Sequence, residues 1–213
     1  MNTTKKNSEP AKGQRRKGRP QTFDRDEALG QAMSVFCELG YEATSVANLG
    51  AAMNMKPPSL YNAFGDKESL FIEVLEHYHR PYRDNVQSLF EQTDSAKEAI
   101  RLLFLESKRL HGGANPIGCL VVNSTINVGS SASAIADKIK SLHDTTEKLV
   151  KRKLKEGQTR GEIEAGINVT KLARYVCGIL LGAAAMARGQ KSSVAVRDML
   201  DQGYEGFLRL AER

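Results

Sequence analysis

The sequence predicts an all-α protein, with a helix-turn-helix head in front of a larger helical domain. Three observations carry that expectation. Past residue 20, apolar residues recur at intervals of three and four, alternating runs are few, and Gly, Asn or Pro interrupts the pattern at helix-like spacings. At 213 residues, 40% hydrophobic and 26% charged, the chain can bury a core unaided and is too ordinary for a collagen-like or wholly disordered class.

The first helix should start at Asp24, whose carboxylate can cap while Glu27 reaches back in a capping box, and end near Gly40. Leu29, Met33, Phe36 and Leu39 form its inward stripe. A short helix follows from about Ser45 to Met53, with Val46, Leu49 and Met53 on one face. Asn54 tolerates the left-handed backbone of a tight turn, and the next helix opens at Lys56 and Pro57, where a missing N–H costs little. Leu60 and Phe64 face inward, Ser59, Tyr61 and Asn62 outward, and Gly65 ends it. Asp66 caps a longer helix carrying Leu70, Phe71, Val74, Leu75 and Tyr78, which should kink or break before Pro81.

The remainder reads as six helices: Tyr82 to Gln92, Ser95 to Leu110 with a Ser95/Glu98 capping box, Gly118 to Asn127, Ser133 to Glu156, Asn168 to Arg188, and Ser193 to Ala211. The domain boundaries expected from this are an arm over 1–20, a head over 21–66 and a helical domain over 67–213.

Charge is concentrated at one end. Residues 1–20 hold seven basic side chains against Glu9, which accounts for the whole chain's net +6; the other 193 residues balance. With almost nothing apolar to bury, the segment reads as a flexible cationic arm suited to a polyanion. No uninterrupted apolar run reaches the roughly 18 residues of a membrane span, and no secretory signal is visible, so a cytoplasmic protein with no membrane partner is expected.

Residues 45–64 have the length of a helix-turn-helix, whose second helix enters the major groove while the first lies against the backbone. Lys56, Pro58, Ser59, Tyr61 and Asn62 are then the groups offered to base edges. Thr44, Ser45 and Lys67, at helix starts, are candidate phosphate clamps, and Arg16, Lys17 and Arg19 are the arm residues to reach a minor groove. Hairpins of this shape occur in any helical protein; the cationic arm just ahead of this one is what points to double-stranded DNA.

The run Lys17-Gly-Arg-Pro, Phe23-Asp24, Ala28-Leu29, Ala32, Phe36, Gly40-Tyr41, Ala43-Thr44-Ser45, Leu49, Leu60-Tyr61, Phe64, Lys67-Glu68 and Leu70 resembles the N-terminal domain of the TetR/AcrR transcriptional regulators, over about residues 17–80. The resemblance implies a homodimer with a three-helix DNA-binding head and a C-terminal domain that binds a small-molecule inducer and dimerises. It also implies that Thr44, Tyr61 and Lys67 touch phosphates. Lys56-Pro57-Pro58 departs from the family's usual small or Gly-containing start of the recognition helix. A repressor released from a near-palindromic operator by its effector is the expected activity.

Two further features bear on that expectation. The helix from Asn168 holds Gly178, Gly182 and Ala183 to Ala185, small residues that let another helix approach, so the last two helices are the expected dimer interface. Cys119 stands near a helix start, where the positive end would lower its pKa and allow a redox or electrophile switch, but a buried cysteine is usually inert and structural packing is the favoured reading. His111, Asn115, Cys119, Asn123 and His143 are the candidate effector contacts. His77 and His79 lie two apart, hence on different sides of a helix, and every histidine reads as a surface or core residue rather than a metal ligand. Neither cofactor nor metal is expected, and no catalytic constellation is legible in order. The rival readings are a non-specific nucleoid-type DNA-binding protein and a thiol-dependent helical enzyme using Cys119.

Overall fold

A computed structural model describes residues 24–113, 119–127, 133–189 and 193–212. Among them the chain forms α1 (Arg25–Ala43), α2 (Val46–Ala52), α3 (Pro57–Phe64), α4 (Lys67–Glu91), α5 (Ala96–His111), α6 (Leu120–Asn127), α7 (Ser133–Thr159), α8 (Val169–Gly189) and α9 (Ser193–Ala211). Asp24 caps α1, accepting from Asp26 N and Glu27 N at 2.9 and 3.1 Å, but Glu27 does not close a capping box; it accepts from Gln31 instead. Ser45, Asp66, Ser95 and Asn168 cap the helices that follow them.

Three expectations need correcting. Gly40 adopts φ 78° inside α1, and helical turns resume as far as Ala43. Leu39 is 42% exposed rather than inward, because the buried row advances by four through Ala28, Ala32 and Phe36 and leaves Leu39 off it. Pro81 does not break the chain: α4 runs through it for 25 residues. A proline inside a helix costs about 3 kcal/mol, and packing outweighs it here, since Val74 and Leu75 before it and Val86 and Phe90 after it are buried on the same helix.

Two apolar cores stack along α4. The first joins Leu29, Phe36, Leu49, Leu60, Phe64 and Phe71 of the head to Leu120 and Val121 of α6 and Ile135, Ile139 and Leu142 of α7. The second gathers Val86 and Phe90 with Ile100, Phe104, Leu154, Val176 and Phe207. Glu162, in the turn after α7, completes the start of α5 that Glu98 was expected to close. Its carboxylate accepts from Ala96 N at 2.6 Å, Lys97 N at 2.9 Å and the Ser95 hydroxyl, placing an anion on a positive helix end.

The small residues of α8 divide between two roles. Ala183, Ala184 and Ala187 are buried in the chain's own core, and a Cβ on Gly182 would meet Met199 Cε of α9 at 2.5 Å. Gly178 faces open space. The segment Val169–Arg188 has the length and mean hydropathy of a membrane span by composition alone, although Lys171 and Arg174 interrupt its apolar run, and 33% of its most apolar window is buried within the chain.

Candidate nucleic-acid interface and effector cavity

The α2–α3 hairpin is fixed by backbone demands. Asn54 takes φ 50°, as its residue type permits, and Met55 N donates to Gly50 O at 2.9 Å. Gly50 makes that turn possible, since a Cβ there would stand 2.8 Å from the Met55 carbonyl oxygen. Lys56 precedes α3 without a side-chain cap, and Pro57 and Pro58 remove two of the donors that would otherwise need one. Leu60 and Phe64 are buried, so Lys56, Pro57, Pro58, Ser59, Tyr61 and Asn62 are left exposed on the opposite face. Tyr61 is 49% exposed.

The three clamp candidates at helix starts converge on one joint. Lys67 Nζ donates to Tyr41 O at 3.0 Å and Thr44 O at 3.1 Å and lies 4.4 Å from the centre of the Tyr41 ring. Thr44 is buried, its hydroxyl donating to Gly40 O at 2.6 Å. Ser45 is exposed, but its hydroxyl and its N–H are tied to Asn48 in a capping box. These side chains therefore brace the junction of α1, α2 and α4. Arg16, Lys17 and Arg19 lie outside the described residues.

A clasp that sequence reasoning missed holds the far end of α3. Arg25 reaches both carboxylate oxygens of Glu73 at 2.7 Å, donates to Ala63 O at 3.0 Å and stacks 4.4 Å over the Phe64 ring. Its partners are 38 and 48 residues away, beyond any local pattern.

Further along α4, where the two cores meet, a cavity of about 640 Å³ opens. Tyr78, Cys119 and Val121 line it from the side of the first core, and Tyr82, Cys177 and Leu180 from that of the second. His111, Cys119 and His143 of the expected effector set line it; Asn123 does not, and Asn115 lies outside the described residues. His79, not named from the sequence, is buried, lines the cavity and holds its Nε2 3.3 Å from Thr146 Oγ1. The available signal was its place in the inward stripe, four residues after Leu75.

Cys119 is not the activated thiol the helix start suggested. Burial pushes its pKa up, outweighing the lowering by its bonds to the Val122 and Val121 backbone and the Tyr78 hydroxyl. Burial likewise pushes Cys177 up to about 12 and holds His79 and His143 below the ordinary imidazole value. Among the described residues no group of three His, Cys, Asp or Glu side chains is placed to hold a metal ion.

Comparison with known proteins finds two family models on the chain. Residues 28–74 match the bacterial regulatory proteins of the tetR family, and residues 101–202 match a tetracyclin repressor-like C-terminal domain. The HTH-type transcriptional repressor ComR of Escherichia coli (strain K12) is 36% identical over 174 residues, 81% of this chain and 83% of that protein. Among solved structures, a cysteine mutant of the TetR family transcriptional regulator CifR complexed with a 26 bp double-strand operator DNA is 31% identical. It has a TM-score of 0.80, with 88% of this chain and 98% of that chain covered. The transcriptional regulator FadR from Bacillus subtilis, complexed with stearoyl-CoA, shares the fold at 17% identity and a TM-score of 0.71, covering 85% of this chain and 96% of that one.

Proposed function

Because the chain belongs to the TetR family of bacterial transcriptional regulators, we propose that it is a homodimeric, cytoplasmic repressor whose operator affinity is lowered by a small molecule bound between its two cores. The family is one of regulators rather than enzymes. The observation that carries the reading is α4 itself. Its first turn seats the recognition helix, and Tyr78, His79 and Tyr82 of the same helix line the cavity, about 18 Å away at 1.5 Å per residue.

Lys56, Pro58, Ser59, Tyr61 and Asn62 face the base edges and the adjacent backbone. Lys67 keeps one N–H for a phosphate beyond the two carbonyls it holds, while Ser45, whose hydroxyl is held by Asn48, and Thr44 contribute by fixing the joint. Arg16, Lys17 and Arg19 add arm contacts. The dimer forms along the outward face of α8 at Gly178 and Ala185 with α9 beside it. That face supports the assignment because α8 is apolar nearly all round and mostly unburied within one chain.

Dimeric heads match successive major grooves when their recognition helices stand about 34 Å apart. An effector that fits the cavity better when α4 is tilted favours another spacing, and a coupling of about 1–3 kcal/mol loosens the operator roughly 5- to 150-fold. The test compares head spacing in crystals grown with and without effector. A changed spacing is expected, and an identical one refutes the mechanism.

A further inference from the structure

The regulator reading leaves open what the cavity takes, and the inference drawn here rests on that reading. Two polar atoms at the wall have no partner. His79 is 6% exposed and its Nδ1 makes no hydrogen bond; His143 Nε2 is also buried and unpartnered. Both rings border the cavity, and Thr146, one turn after His143 on α7, bonds the His79 ring from its other side. Buried polar atoms are almost always satisfied, so an orphan pair at the wall of a roomy cavity marks where a missing group belongs.

The charges around the cavity have already chosen each other. Glu106 accepts from Arg109 at 2.7 and 2.8 Å and from Asn85 at 2.9 Å, and Glu147 accepts from Arg174 at 3.2 Å. Ser107 and His111 also border it, and the rest of the wall is aliphatic, aromatic or thiol, with Val121, Leu180 and Ala184 buried. A charged ligand would give up its hydration without finding an unpaired countercharge, whereas an apolar body loses only water contact.

We propose that the cavity binds an uncharged molecule with a bulky apolar body and one hydroxyl, and that the hydroxyl bonds to His79 Nδ1 and His143 Nε2. A hydroxyl has one donor and two lone pairs, so it satisfies both rings whenever at least one of the two facing nitrogens carries its ring's proton. The bond spans α4 and α7, and the ligand thereby fixes the helix that carries the head.

The test titrates the full chain with three probes sharing one body: 1-hydroxypyrene, pyrene and 1-pyrenecarboxylate. The chain has no Trp, so probe fluorescence is read without interference from indole. One saturable site per chain is expected, with 1-hydroxypyrene about tenfold tighter than pyrene and at least tenfold tighter than the carboxylate. In His79→Phe and His143→Phe, which keep an aromatic ring, the preference for the hydroxyl should fall towards unity while pyrene still binds, which also reports that the cavity is intact. Tightest binding by the carboxylate, no saturable site for any probe, or a hydroxyl preference unchanged in both variants overturns the proposal. Operator affinity, measured with and without saturating 1-hydroxypyrene on duplex selected from a random pool, reads the regulator reading separately. Histidine-dependent binding without loss of operator affinity refutes release by this ligand class and leaves the recognition chemistry standing.

Discussion

Replacing Arg25 by Ala tests whether the recognition helix is held by the clasp at its far end. The pair with Glu73 is half-exposed on both sides (47% and 37%), so solvent screening limits it to at most about 1 kcal/mol. The bond to Ala63 O adds roughly 0.5–1 kcal/mol, and the guanidinium over Phe64 about 0.5 kcal/mol. The total is about 2 kcal/mol, and for a chain of this size each kcal/mol moves Tm by about 2–4 °C, so Arg25→Ala should melt about 4–8 °C lower. Far-ultraviolet circular dichroism at fixed protein concentration measures it. A double-mutant cycle with Glu73→Gln should return a coupling of about 0.5–1 kcal/mol. Because the freed carbonyl lies in the last turn of α3, operator affinity measured by fluorescence anisotropy should fall about three- to tenfold. A Tm within about 1 °C of the parent, no coupling and unchanged affinity would together refute the clasp.

Other outcomes follow from the same structure. Gly50→Ala forces a Cβ against the Met55 carbonyl 2.8 Å away, and overpacking of this kind costs about 1–3 kcal/mol, less up to about 1 kcal/mol regained in helix propensity. Lower Tm and weaker operator binding are expected, and a more stable variant would show that the turn relaxes freely. Lys56→Ala should reduce the log–log salt slope of operator binding by about 0.9 per chain, whereas Tyr61→Phe weakens binding with no change of slope; equal slopes for both would remove Lys56 from the phosphates. Burial depresses the folded-state pKa of His79, with Glu76 opposing and Arg83, His143 and Lys138 adding to the shift. The unfolded chain therefore binds more protons, so this contribution to stability is complete above an unfolded pKa of about 6.5 and is lost as pH falls below it. His79→Phe should flatten the denaturant midpoint between about pH 5 and 7, and a midpoint that follows pH as in the parent would contradict the burial argument. Cys119→Ser should leave oxidant- and electrophile-induced release unchanged, because its thiol is held protonated; loss of such release would revive the switch.

The head was legible because its turns are written in residue types. Asn54, Pro57, Gly65 and Asp66 mark where the chain must bend or a helix must start, and the three- and four-residue steps Val46, Leu49, Met53 and Leu60, Phe64 give the buried side. Local rules failed where distant packing decided. Pro81 reads as a stop in any window, and only the two cores clamped on either side of it carry α4 through. Arg25 with Glu73, and Glu162 with the start of α5, join residues 48 and 65–67 apart, which no periodicity records. The cavity was only half readable: His111 and His143 were named as isolated polar residues of the larger domain and Cys119 for its place at a helix start, whereas His79 looked like one more surface or core residue until its unpaired nitrogen was placed at the wall. The small residues of α8 suggested close helix approach but not whose helix, since Gly182 lies against Met199 of α9 in the same chain and Ala183 is buried in the chain's own core.

A repressor of this kind requires α3 to read sequence rather than merely to meet charge. Equilibrium competition at one salt concentration, between the selected operator and a scrambled duplex of equal length, measures this directly for the full chain and for Ser59→Ala and Asn62→Ala. A preference of at least about 10³ for the operator is expected, reduced in one or both variants, with each lost base contact relaxing discrimination at its own base pair. A preference below about tenfold, or the same preference in both variants, would contradict it.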